Sequence, residues 1–213
     1  MRVLVFGDSI AQGFWAAEGG WVERLRKHYD KRQIKDLFTP SEPHIFNLGI
    51  SGDITTGVIK RLANETEARK WRWPHEKFAF VVAIGINDAV MEEGTERSSA
   101  DKYQSELKTL LQEVNKFSDR VMFVGLTPIV EHIVNDRLWK SKRYLEQRVI
   151  EFDEVLKEFC VEQKVPYVHL HQPMKERMDA GHSLFDDGLH PNDAGHEFIF
   201  QLIRPELDKL LAA

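Results

Sequence analysis

Cysteine is almost missing from this chain: Cys160 is the only one in 213 residues. No intrachain disulfide can form, and the cysteine usage fits a reducing compartment. Long apolar runs are missing too; none approaches the ~20 residues that a membrane-spanning helix needs. There is no basic excess. Lys and Arg total 29 against 34 Asp and Glu, a formal net charge of -5, so nothing in the charge calls for nucleic acid or an anionic membrane as a partner. The first residues lack the basic segment, apolar core and small-residue cleavage site of a secretory signal. A cytoplasmic protein is the resulting expectation. Internal repeats, low-complexity tracts and linkers are also lacking. The length suits a single domain spanning residues 1–213, and 42% apolar with 30% charged residues is a globular composition.

What is present is an alternation of short apolar runs and amphipathic stretches. Val3 to Phe6 reads as a buried strand, stopped by Gly7-Asp8-Ser9, because β-branched residues and a glycine bound it. The glycine-rich segment after Ser9 reads as a loop, and Trp21, Leu25 and His28 or Tyr29 then fall at helical spacing. A strand is expected over 44–48 and a helix over 54–69 with Asp53 as its N-cap. The run 77–84 is the most apolar and should be a central strand, buried on both faces. A helix over 98–117, a strand over 120–125, a long helix over 138–163 and a short strand over 165–170 follow. The last helix should run to Leu211, kinked or restarted at Pro205. Five alternations of strand and helix imply an α/β fold: a doubly wound, five-stranded parallel sheet with helices on both faces. Lys140, Lys142 and Arg143 read as a solvated helix face.

Ligands of such sheets bind outside the carboxyl ends of the strands. The loops expected there carry Ser9, Gly52, Asn87 and the pair Asp187 and His190. Each has an ordinary reading by itself. Ser9 and Asn87 are turn formers, Gly52 serves backbone geometry, Asp187 caps a helix, and His190 is a satisfied histidine. Together they supply what acyl transfer requires: a nucleophile, a base, an orienter for the base and donors for an oxyanion. Ser9 has the hydroxyl, and His190 titrates in the range suited to taking its proton. Asp187, three residues earlier, can reach the far ring nitrogen across a turn at Gly188. The Gly52 and Ser9 backbone N–H groups and the Asn87 carboxamide are the candidate oxyanion donors. Asp8 shapes the nucleophile turn. Asp186 is a rival to Asp187. Trp15, Trp139 and the segment 130–133 lie on loops bordering the site and are candidates for an acyl or alcohol pocket. His169 and His171, at i and i+2 on one strand face, could be drawn as a metal site with His190. No cysteine or acidic ligand accompanies them, so no metal and no cofactor is expected.

These blocks resemble the SGNH (GDSL-type) hydrolase family over nearly the whole chain and in the family's order. Gly7-Asp8-Ser9 matches the nucleophile block, with Ile10 in place of the usual leucine. Ser51-Gly52-Asp53 matches the second block, Gly85-Ile86-Asn87-Asp88 the third, and Asp187-Gly188-Leu189-His190 the last. The resemblance implies a flavodoxin-like sheet of order 2-1-3-4-5. It also implies cofactor-free hydrolysis of esters or thioesters, with a small-molecule ester as partner. Short acyl chains are favoured because no lid or long apolar insertion accompanies the site. Carbohydrate deacetylation, lysophospholipid or thioester hydrolysis, acyl transfer and a catalytically dead binding module are the alternatives. The serine context does not match the Gly-x-Ser-x-Gly elbow of the α/β-hydrolases. The sequence leaves oligomeric state open.

Overall fold

A computed structural model describes residues 1–37, 42–70, 77–137 and 141–212, excepting the Arg137 side chain. In chain order the first half contains β1 (Arg2–Gly7), α1 (Ser9–Gln12), α2 (Trp21–Gln33), β2 (His44–Gly49), α3 (Thr55–Glu67), β3 (Phe78–Ala83), β4 (Met91–Glu92), β5 (Thr95–Glu96) and α4 (Ala100–Asn115). The second half contains β6 (Val121–Val124), α5 (Glu131–Arg137), β7 (Lys142–Arg143), α6 (Glu146–Gln163), β8 (Tyr167–Val168), α7 (His171–Asp179) and α8 (Asp193–Ala212).

Five strands form a parallel sheet in the order β2-β1-β3-β6-β8, the expected 2-1-3-4-5. The apolar runs of β1 and β3 lie between neighbours on both sides, Val5 facing Asn47 in β2 and Val81 in β3. Val3, Leu4, Val5 and Phe6 are wholly buried, as are Ala79 to Val82. Full burial of each large side chain stabilises the fold by about 1.5–3 kcal/mol, which is why these two strands carry the core. The stripe Tyr103, Leu107, Leu110 and Val114 buries α4 as its spacing predicts. The described residues contain no helix long and apolar enough to cross a membrane.

Several expectations are corrected. The stretch after Ser9 begins with a helical turn, α1, rather than a loop, because the Asp8 carboxylate caps it by accepting the Ile10 N–H at 2.9 Å. Asp53 is not the N-cap of α3; Ile54 holds that place. The Asp53 carboxylate accepts the Ile54 N–H at 3.0 Å and pairs with Arg61 at 2.9 Å instead. The long helix begins at Glu146, not 138. Residues 131–137 form their own helix, and Lys142–Arg143 pair with Met91–Glu92 in a small antiparallel sheet of order β5-β4-β7. Lys142 and Arg143 therefore lie on a strand rather than a helix face, and Lys140 lies outside the described residues. The last helix runs unbroken through Pro205.

Candidate functional site

The carboxyl ends of β1, β2 and β3 bring three of the expected loops to one edge of the sheet, and the segment between α7 and α8 supplies the fourth. Ser9 opens α1 directly after β1, buried to 5% exposure. His190 presents Nε2 to Ser9 Oγ at 3.0 Å and Nδ1 to Asp187 Oδ2 at 2.6 Å. In the tautomer that donates Nδ1–H to Asp187, Nε2 accepts the Ser9 O–H. The Asp187–His190 turn is built locally. Asp187 Oδ1 accepts the Leu189 N–H at 2.9 Å and the His190 N–H at 2.7 Å. Gly188 between them has φ 86°, and a Cβ there would meet Val130 O and Val134 N at 2.8 Å, so only glycine fits. Burial alone would raise the Asp187 carboxyl. The His190 side chain and the two backbone N–H groups outweigh it and hold Asp187 at about 2.

Asn87 sits beside this chain of contacts. Its Oδ1 accepts the Tyr144 O–H at 3.1 Å, and its Nδ2 donates to Asp53 O at 3.1 Å, with Asp8 Oδ2 at 3.4 Å. Gly52 lies in the turn that Asp53 N–H closes on Ile50 O at 3.0 Å. Asp88, next to Asn87, reaches across to the first turn of α3, where both its oxygens accept the Thr55 N–H at 3.2 Å. The loops after β2 and β3 are thereby bound to each other. Burial raises Asp88 to about 6, against the Thr55 hydrogen bonds and with help from Glu106. Burial also raises Asp8 to about 7, opposed by the Ile10 N–H and by His190. A cavity of about 20 Å³ is bordered by Asp8, Ile10, Ile86 and Thr127 among others. It has room for about one water, and the Thr127 hydroxyl on its wall has no partner among the described residues.

The other expected residues fall differently. Asp186 accepts from Asn192 Nδ2 at 3.2 Å; Asp187 is the carboxylate on His190. The exposed Trp15 donates its indole N–H to Asp187 Oδ2 at 3.0 Å. Trp139 lies outside the described residues. Residues 131–133 are not loop but the start of α5, and Val130 donates its N–H to Gly188 O at 2.7 Å. His169 and His171 do not share a strand face, because β8 ends at Val168 and His171 opens α7. His171 Nε2 instead meets Glu146 Oε1 at 3.0 Å. Among the described residues no group of three or more His, Cys, Asp or Glu is arranged to hold a metal ion. Two participants carried no local signal. Tyr144 reaches Asn87 from 57 positions away, and the Phe14 ring lies 4.9 Å from the His190 ring.

With this geometry in view, comparison with known proteins is direct. The sequence model of the GDSL-like lipase/acylhydrolase family matches residues 5–198. The mouse isoamyl acetate-hydrolyzing esterase 1 homolog is 25% identical over all of this chain and 83% of its own length. Among solved structures, a lipase/acylhydrolase from Enterococcus faecalis superposes with a TM-score of 0.74 at 22% identity, covering 97% of this chain and 94% of that one. An acetylxylan esterase from Geobacillus stearothermophilus gives 0.70 at 19% identity, covering 96% and 93%.

Proposed function

The chain belongs to the GDSL-like lipase/acylhydrolase family and is a carboxylic ester hydrolase, and from that premise we propose that it cleaves short-chain esters through an acyl-enzyme on Ser9. Ser9 Oγ attacks the ester carbonyl while His190 Nε2 takes its proton. The proton passes to the departing alkoxide, leaving an acyl-Ser9 ester and free alcohol. A water then gives a proton to His190 and attacks the acyl carbon; Ser9 recovers the proton and the carboxylic acid leaves. Asp187 holds the imidazole in the donating tautomer and faces the imidazolium with a carboxylate that stays charged across the working pH range.

The Ser9 and Gly52 N–H groups donate to no other group among the described residues, which suits them to the oxyanion. Asn87 Nδ2 is the third donor, held in orientation by Tyr144 and the Asp53 carbonyl. Losing one such donor typically costs about 10²–10³ in turnover.

The observation that carries the proposal is the continuous contact from Asp187 through both nitrogens of His190 to Ser9. The short-chain reading draws on the esterase named for isoamyl acetate, an acetate ester. Ser9→Ala should abolish turnover of p-nitrophenyl acetate and butyrate with an unchanged circular dichroism spectrum. Retained turnover would overturn the assignment. Rates should fall from acetate and butyrate to octanoate, and a fluorophosphonate should label Ser9 alone, as a catalytically dead module would not.

A further inference from the structure

The residue that the reaction does not obviously need is Trp15. It is 63% exposed, so burial does not explain a tryptophan here. Its backbone has φ 65°, in the left-handed region where a non-glycine side chain costs about 1–2 kcal/mol. Strain of that kind persists where surrounding contacts over-determine it. The contact that Trp15 makes is specific: its indole N–H meets the same Asp187 oxygen that receives His190 Nδ1.

The neighbouring residues hold this arrangement in place. Phe14 N–H donates to Ser9 O at 3.0 Å, and its ring lies against the His190 ring and, at 4.6 Å, the Trp15 ring. Farther along, Glu18 N–H donates to Asp193 Oδ1 at 2.8 Å, and Trp21 N–H to His196 Nδ1 at 3.3 Å. The segment after α1 is thus bound to the start of α8. Two aromatic residues that follow the Ser9 turn close over the two residues 172 or more positions away.

We propose that Trp15 is a positioning residue of the hydrolytic site, its indole N–H fixing the Asp187 carboxylate and limiting how strongly that carboxylate binds the His190 ring. The inference rests on the Ser9–His190–Asp187 reading above. The sign of its effect follows from the shared oxygen. With the indole N–H present, Asp187 Oδ2 divides its electron density between two donors. Without it, His190 Nδ1–H is left as that oxygen's donor, so the imidazolium is held more tightly. The base then gains its proton at higher pH and the acid limb of the rate profile moves up.

Other charged or titratable groups face the pair from its surroundings. Asp8 and, on α8, His196 lie close enough to His190 for their charges to be felt, Tyr144 lies as close to Asp187, and Asp186 adjoins Asp187 in the chain. Burial pulls His196 down to about 4, opposed by the Phe14 backbone, and pushes Tyr144 above its ordinary range. Trp15 Nε1 bonds to none of these groups, so their contributions cancel between wild type and a Trp15 variant.

The test compares wild type, Trp15→Phe, Trp15→Gly and Ser9→Ala, measuring kcat, KM and the pH dependence of kcat/KM on p-nitrophenyl acetate, with Tm alongside. Trp15→Phe should lower kcat about three- to tenfold with KM nearly unchanged, the size of one hydrogen bond. Its acid limb should move up by about half a pH unit. Trp15→Gly should show the same kinetic change with an equal or higher Tm, because glycine relieves the positive φ; a purely structural role would lower it. A wild-type pH profile in Trp15→Phe, or a loss confined to KM, would overturn the proposal. Turnover retained by Ser9→Ala would instead remove the reading beneath it, whatever Trp15 does.

Discussion

Replacing Asp8 by asparagine should make the protein more stable at pH 8 and less stable at pH 4, by about 1–2 kcal/mol there. Asp8 is 3% exposed, and burial carries its carboxyl from the ordinary 3.8 to about 7. Well below pH 3.8 it is protonated both folded and unfolded, and its ionisation contributes nothing. Between pH 4 and 7 the unfolded chain releases the proton while the folded protein keeps it. Stability therefore falls as pH rises through this window and levels off above 7. At about 1.4 kcal/mol per pH unit the whole difference is about 4 kcal/mol. An asparagine can still accept the Ile10 N–H, but its amide nitrogen would face Asn87 Nδ2 at 3.4 Å. A clash of two donors takes back about 1–2 kcal/mol, leaving a gain of about 2–3 kcal/mol at pH 8. Urea unfolding of both proteins from pH 4 to 8.5 reads this as a difference curve. The lowered His196 is common to both proteins and drops out. A difference that does not change with pH would refute the reasoning, since Asp8 would then titrate like a surface carboxylate.

Asp187→Asn should reduce turnover severely but less than Ser9→Ala, because the oxyanion donors stay in place; steady-state rates on p-nitrophenyl acetate rank the two. Tyr144→Phe leaves Asn87 Oδ1 without its donor and should lower kcat several-fold while KM holds, roughly one buried hydrogen bond; an unchanged kcat would mean that the Asp53 carbonyl alone orients the carboxamide. Gly7→Ala should destabilise by about 3 kcal/mol or more by denaturant titration, since the new Cβ would lie 2.5 Å from Ala11 Cβ and 2.6 Å from the Ala83 carbonyl.

The sheet and the strand-end loops were legible because the two most buried strands are uninterrupted apolar runs, each stopped by glycine and a polar group. The parallel order follows once the intervening stretches are helical. Reading failed where elements are short. Four residues of α1 carry no periodicity, and its cause, the Asp8 carboxylate, looks like any turn aspartate. The stripe Val149, Phe152, Leu156 and Phe159 locates the body of α6 but not its start, so the expected helix takes in β7, while the start of α5 reads as loop. Pro173, in the first turn of α7, is compatible with a helix start, yet His169 and His171 invite a strand reading. Other gaps are matters of distance along the chain. Asp88 capping α3, Tyr144 on Asn87 and Trp15 on Asp187 are partnerships that no local pattern encodes.

Ser9 and His190, the proposed proton-transfer pair, stand 181 positions apart. During synthesis the hydroxyl of Ser9 is made long before the imidazole of His190, which emerges only after all five strands of the parallel sheet. Loop closure over that span is won only after the sheet has brought the ends together. On the proposed mechanism, a nascent or truncated chain ending before the loop that carries His190 has an inert serine. Appearance of ester-cleaving competence during refolding is therefore a clock for the final docking event, later than the collapse that far-ultraviolet signals follow.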